Sequence, residues 1–212
     1  MLEDLAQMVV DKVEPRRLVS LDSLTGALTC RSFYRQARRD VARSGGLGQP
    51  LSCAVIDIDN LREINHTHSH AAGDLLLQRT VSVCLSQLRT AEYIGRIGGD
   101  EFGQILPDTV LLRAFEIADQ MREAITASVI DVSGRRVFAS VSIGIAELLT
   151  REACLDRLLG NADAALYDAK LDGKDRVACH LDDLRLATGG PIDPAYTTAG
   201  IANGPPARRM RN

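Results

Sequence analysis

The segment Leu51 to Asp59, LSCAVIDID, constrains the fold more than any other part of the chain. It reads as a buried strand that runs into two acids. A strand apolar on both faces belongs inside a sheet that is covered on both sides. The remaining pattern supplies the covers. Helices are expected over residues 30–43, 72–88, 110–127 and 155–171, with strands over 93–97 and 101–106, a β-rich stretch over 136–146 and a short last strand near Val177. The two strands around Gly98-Gly99 form a β-hairpin by pattern. Asp22 or Ser23 is a candidate helix cap, Gly26 marks a turn, and residues 44–50, SGGLGQP, read as a loop. Strands alternating with helices around one hairpin predict an α/β (α+β) fold with a central mixed sheet flanked by helices.

Length and composition fit one soluble domain. The 212 residues are 45% apolar and 25% charged, and no run approaches the apolar length of a membrane span. The first residues, MLEDLAQMVVDK, are acidic where a secretory signal is basic, so the expected compartment is the cytoplasm, with no membrane insertion. Five scattered cysteines without a C-x-x-C pair read as reduced thiols, and a net charge of -3 gives no argument for nucleic acid. Residues 2–13 form a short amphipathic helix by pattern. The stretch after residue 187 holds four of the seven prolines and is expected to be disordered. The division that follows is a connector over 1–19, a domain over 20–180 and a Pro/Gly-rich tail over 181–212.

Two elements carry chemistry. Asp57 and Asp59 end the buried strand and, at a period of two, share a face. Acids there are costly unless paired, solvated or bound to a cation. The plain alternative is a strand end reaching water. Gly98-Gly99-Asp100-Glu101 is the second element. Its glycines would allow positive φ and a close ligand approach, and its acids would sit at the tip. Adjacent strands can bring Asp57 and Asp100 together, and paired carboxylates holding Mg²⁺ suit phosphoryl and nucleotidyl transfer.

Residues 96–102, RIGGDEF, resemble the naming motif of the GGDEF domains, the diguanylate cyclases that join two GTP into cyclic di-GMP. Four further blocks match in order and spacing: DSLTGALT (22–29), DIDNLREIN with HAAGD (57–65 and 70–74), SVSIGIA (140–146) and ALYDAKLDGKDR (165–176). The resemblance covers roughly residues 20 to 180. It implies a fold like the polymerase palm and nucleotidyl cyclases, with the hairpin carrying the GGDEF turn. It implies that Asp57, the carbonyl of Ile58 and Asp100 hold Mg²⁺ (or Mn²⁺), and that Asn65 and Asp74 read the guanine edge. Gly98 and Gly99 would cradle phosphates, with Lys170 and Lys174, four apart on one helix face, on the terminal phosphates. Arg62 stands where the family carries a lysine and joins the substrate-binding set. Asp100 or Glu101 would help deprotonate the attacking 3′-hydroxyl. Each domain would bind one GTP, so catalysis would need a homodimer, stable or transient, matching the product's two-fold symmetry.

Several positions depart from the family pattern. Asn65-His66 replaces Asn-Asp, Ser69-His70 replaces Gly-His, Leu61 replaces an aromatic, and Gly173-Lys174-Asp175 replaces Gly-Arg-Asn. The loss of the glycine at Ser69 predicts a strained loop. Lysine cannot make the two-pronged phosphate contact of arginine. The alternating His66, His68 and His70 lack the fourth ligand of a closed zinc site. The product-inhibition motif R-x-x-D reads Arg89-Thr90-Ala91-Glu92, which leaves feedback by cyclic di-GMP open. The main reading is an active cyclase. The rivals are a GGDEF domain that binds GTP or cyclic di-GMP without turnover, a pure interaction domain, and a cyclase acting on ATP.

Overall fold

The computed structural model describes residues 20–132, 134–148 and 153–180. The helix expected over 2–13 and the tail after residue 180 lie outside them. In chain order the elements are β1 (Leu28–Thr29), α1 (Cys30–Leu47), β2 (Leu51–Ile58), α2 (Leu61–Thr67), α3 (His70–Gln87), β3 (Tyr93–Arg96), β4 (Glu101–Pro107), α4 (Leu111–Thr126), β5 (Val129–Val132), β6 (Arg135–Phe138), β7 (Val141–Glu147), α5 (Leu155–Leu171) and β8 (Val177–Cys179). Six strands form one mixed sheet in the order β1-β3-β4-β2-β7-β8. The two outer pairings are parallel and the three inner ones antiparallel. β5 and β6 make a separate two-stranded ribbon.

Every residue of β2 is buried, as its sequence demanded. The pleat divides it between two cores. Leu51, Cys53 and Val55 pack with residues of α1 and α5, while Ala54, Ile56 and Ile58 pack with α3 and α4. By the same alternation Asp57 belongs to the α1 and α5 side, and the register sets it opposite Glu101 of β4.

Close backbone approaches fix the helices on that side. Gly95 and Gly103 are register partners, and the Phe33 ring of α1 fills the slot they leave. A Cβ at Gly103 would stand 2.5 Å from Phe33 Cζ. Gly144 of β7 does the same for α5, since a Cβ there would stand 2.7 Å from Leu166 Cα. Pressed onto the sheet in this way, α5 carries Lys170, one turn beyond Leu166, to the end of β2.

The structure corrects several sequence expectations. α1 does not stop at residue 43 but runs through Ser44-Gly45-Gly46 to Leu47, and left-handed Gly48 (φ 65°) caps it by donating to the Ser44 carbonyl. Ser44 is buried, and a Cβ at Gly45 would overlap that of Ala153, so these residues are small for packing and not for a loop. Asp22 caps a turn and not a helix: the Thr25 amide and hydroxyl donate to its Oδ1 at 3.0 and 2.7 Å, while the N-cap of α1 is Thr29. The stretch around the three histidines is largely helical. His66 lies in α2 and His70 opens α3. Ser69 has an extended φ of 169° and caps α3 by accepting from the Ala72 amide, so the loop carries no left-handed strain. β1, α2 and β5 were not expected.

Candidate active site

The ends of β2 and β4 bring the carboxylates together. The Ile58 amide donates to the Asp100 carbonyl at 3.4 Å, which holds the two strand ends side by side. Asp57 is 7% exposed, and Lys170 Nζ reaches its Oδ2 at 2.8 Å. Burial pushes the Asp57 carboxyl above the ordinary carboxylate range. The hydrogen bond and charge of Lys170 draw it back, and the neighbouring Asp100 and Glu101 carboxylates push it up again.

Asp57 thus has two carboxylate neighbours and one ammonium, an excess of negative charge that suits a divalent cation. Among the described residues no group of three His, Cys, Asp or Glu side chains forms a ready-made metal cage. Mg²⁺ does not require one, because it takes one or two carboxylates and completes its shell with phosphates and water. Asp57, the Ile58 carbonyl and Asp100 therefore fit such an ion as donors.

A cavity of about 550 Å³ opens beside this cluster, between α2, α3 and the glycine turn. Arg62, Asn65, Asp74, Gly99 and Asp100 line it, with His66, His70 and Arg96. It thus gathers five of the residues expected from the sequence to bind substrate or metal. The Asn65 Oδ1 is buried and has no hydrogen-bond partner within the protein. Asn65 lies directly over Gly73 of α3: a Cβ at Gly73 would overlap the carboxamide oxygen and stand 2.9 Å from Cγ.

The turn itself differs from expectation. Neither Gly98 nor Gly99 is among the positive-φ glycines. Their smallness serves approach: a Cβ at Gly98 would stand 2.7 Å from Glu101 Oε2, whereas the space over Gly99 is open. Arg96 fixes the turn from below. Its Nη2 and Nε donate to the Gly99 carbonyl at 2.7 and 3.2 Å, and its Nη1 donates to Asp22 Oδ1 at 3.3 Å. Burial alone would raise the Asp22 carboxyl, but the Thr25 hydrogen bonds and the Arg96 charge outweigh it and hold Asp22 below the usual value.

The two lysines part company. Lys170 is on α5, but the helix ends at Leu171 and Lys174 lies beyond it with φ 64°, so they do not share a helix face. Lys174 Nζ donates instead to Asn60 Oδ1 at 2.5 Å. Glu101 borders a second hollow, on the α1 and α5 side, with Tyr34 and Asp163.

Arg89 and Glu92 lie apart from this site, between α3 and β3, and are closed on each other. Arg89 Nε donates to Glu92 Oε1 at 2.5 Å and the Arg89 amide to Oε2 at 2.8 Å, while Arg89 Nη2 donates to Thr109 Oγ1 at 2.6 Å. The Glu92 side chain is 1% exposed.

Sequence reasoning missed Gly73 and Arg96. A glycine inside a helix costs about 1 kcal/mol against alanine, so one beside Asp74 was a readable sign of close approach. Arg96 gave no comparable signal, because its partners are a backbone carbonyl and a residue 74 positions away.

The profile of the family described as "Diguanylate cyclase, GGDEF domain" matches residues 19–176. Diguanylate cyclase DosC of Escherichia coli (strain K12) is 32% identical over 163 residues, which are 76% of this chain and 35% of that protein. Diguanylate cyclase DgcP of Pseudomonas aeruginosa is 34% identical over 164 residues, 77% of this chain and 24% of that protein. The chain thus spans about a third or less of these relatives' length. The crystal structure of the GGDEF domain of DgcB from Caulobacter crescentus in complex with c-di-GMP superposes with a TM-score of 0.73 at 27% identity, covering 78% of this chain and 95% of that one.

Proposed function

The chain belongs to the GGDEF family of diguanylate cyclases, and from that membership and the geometry at the β2 and β4 ends we propose that it joins two GTP into cyclic di-GMP. The observation that carries the reading is the cavity in which Asn65, Asp74 and Asp100 converge, with the buried Asn65 carbonyl still unpartnered. The guanine enters between α2 and α3. The Asp74 carboxylate accepts from its N1–H and N2–H, and the Asn65 carboxamide bonds its remaining edge. The triphosphate runs over the open Gly99 backbone and past Asp100. Arg62, Lys170 and Lys174 are its cationic neighbours.

Asp57, the Ile58 carbonyl and Asp100 would hold Mg²⁺ or Mn²⁺, which when bound would neutralise the phosphate charge that builds up during transfer. The 3′-oxygen of one GTP forms a bond to the α-phosphorus of the other, the bond from that phosphorus to the bridging oxygen breaks, and pyrophosphate leaves. The hydroxyl proton passes to Asp100 or Glu101. Lys170, which already neutralises Asp57, has a flexible stem that lets its ammonium serve the departing phosphates.

One domain supplies one guanine cavity and one carboxylate cluster. Two copies facing each other supply both halves of a two-fold product, so the working form is a homodimer, transient or stable. The catalytic unit is residues 20–180, with 1–19 as connector and 181–212 as tail. No helix among the described residues is long and apolar enough to cross a membrane. The Arg89–Glu92 pair, which borders a hollow with Arg113 and Gln120, is closed on itself and would have to open before it could hold product.

The test is incubation of the purified chain with GTP and Mg²⁺, with products separated by chromatography, beside Asp100→Ala. Cyclic di-GMP from the native chain alone is expected, with specific activity rising with protein concentration. GTP binding without product at high concentration would replace this reading with that of a receptor domain.

A further inference from the structure

The junction between the end of β2 and the turn after α5 is built from awkward conformations. Three residues other than glycine have left-handed φ there: Asn60 (57°), Lys174 (64°) and Asp175 (46°). Asn and Asp tolerate this region, but lysine has no side chain to ease it. Strain of this kind persists only where the surroundings over-determine it.

Asp59 supplies that determination. It is 3% exposed, and its carboxylate accepts three hydrogen bonds. Ser142 Oγ donates to Oδ1 at 2.7 Å, while Ser140 Oγ at 2.7 Å and the Asp175 amide at 3.1 Å donate to Oδ2. Its own amide donates to the Ser140 carbonyl at 2.9 Å. One side chain thus ties the strand that bears Asp57, the start of β7 and the turn that presents Lys174. From outside, Arg122 and Thr126 of α4 donate to Asp175 Oδ1 at 3.0 and 3.1 Å. With Asp175 held on both sides, Lys174 is left where its ammonium meets Asn60.

We propose that Asp59 is a positioning residue for the phosphate end of the substrate, setting the Lys174 turn against the Asp57-bearing strand through the Asp175 amide. This rests on the reading of Lys174 as a phosphate ligand. Asp59 does not touch the nucleotide. It holds in place a backbone conformation that would otherwise relax and carry the lysine away. Its effect therefore runs through Lys174 and appears in phosphate affinity, not in the folding of the guanine cavity.

The experiment is a double-mutant cycle read as equilibrium binding of inorganic pyrophosphate with Mg²⁺, which needs no turnover. Lys174→Ala is expected to weaken binding about tenfold, the loss of one charge-assisted contact. Asp59→Ala is expected to weaken it by nearly as much, and Asp59→Ala/Lys174→Ala no further than Lys174→Ala alone. Asp59→Asn keeps an oxygen for the Asp175 amide while the serine hydroxyls rotate to suit, so it is expected to restore near-native binding. Should Asp59→Ala not fold, Ser140→Ala/Ser142→Ala leaves the Asp59 carboxylate held only through the Asp175 amide and is expected to weaken binding in the same direction but by less, again with no further loss when Lys174→Ala is added. Additive losses in the double variant, or native affinity in Asp59→Ala, would overturn the proposal while leaving Lys174 a phosphate ligand. Native affinity in Lys174→Ala would remove the phosphate role itself, and the proposal with it.

Discussion

Gly73→Ala separates recognition from stability, because the two should move in different directions. Gly73 is the fourth residue of α3 and is buried. Alanine there favours the helix by about 1 kcal/mol. The new methyl group would overlap the Asn65 carboxamide, which must swing away. Asn65 is half-buried at the cavity edge and its buried oxygen has no protein partner, so displacement breaks no bond within the protein. The fold should be as stable as before or slightly more so. GTP, in contrast, loses the carboxamide's contribution. At about 1 kcal/mol net per hydrogen bond, one or two bonds amount to a fivefold to roughly thirtyfold weaker affinity. The assay pairs a thermal melt with equilibrium binding of GTP and of inorganic pyrophosphate. A maintained melting temperature, weaker GTP binding and unchanged pyrophosphate binding are expected. Unchanged GTP affinity would refute the assignment of Asn65 to guanine, and equal losses for both ligands would show a general disturbance of the site.

Two further outcomes follow from the geometry. Added cyclic di-GMP is expected to leave the initial rate of the native chain unchanged, since Glu92 is closed on Arg89, while Glu92→Asp shortens the side chain, opens the pair and should introduce inhibition. Inhibition of the native chain by micromolar product would show the pair to be a binding site after all. Asp22 has a depressed pKa in the fold, so its contribution to stability is present above the unfolded carboxylate value and is lost as pH falls through the folded one. Asp22→Asn should therefore lower the urea midpoint at pH 7 and converge on the native midpoint below about pH 4, whereas a constant gap across that range would show that the charge is not what holds the turn.

How far the site was legible depended on how local its determinants are. The unbroken apolar run in LSCAVI made β2 and its double burial legible, and the acids that end it made Asp57 stand out. The GGDEF turn was legible as a hairpin, yet the reason for its glycines was not: whether Gly98 needs a positive φ or merely room for the Glu101 carboxylate depends on side chains packed around it. Likewise Ser44-Gly45-Gly46 has the composition of a loop, and the need for a residue without a side chain at Gly45 comes from Ala153, more than a hundred positions on. The shared helix face expected of Lys170 and Lys174 is absent for a related reason. Spacing of four predicts one helix face only while the helix continues, and here it ends between them.

The same contrast explains why the carboxylates could be found before the groups that organise them. An acid at the end of an apolar strand is conspicuous because burial penalises its charge, and the structure bears this out in the raised pKa of Asp57. The folded state holds that proton more tightly than the unfolded chain does. Ionised Asp57 is therefore a cost to the fold at neutral pH, and the cost is removed either by acid or by a cation. Lys170 offsets part of it, but Asp100 and Glu101 add to it. Asp57 therefore keeps two carboxylate neighbours against one lysine, an imbalance that on the proposed reading a divalent cation would offset, with substrate phosphates completing its shell. Asp59, two residues on, meets the same burial with hydroxyl and amide donors instead. Its carboxylate is met by three donors within the protein, whereas that of Asp57 is met by Lys170 and opposed by its carboxylate neighbours.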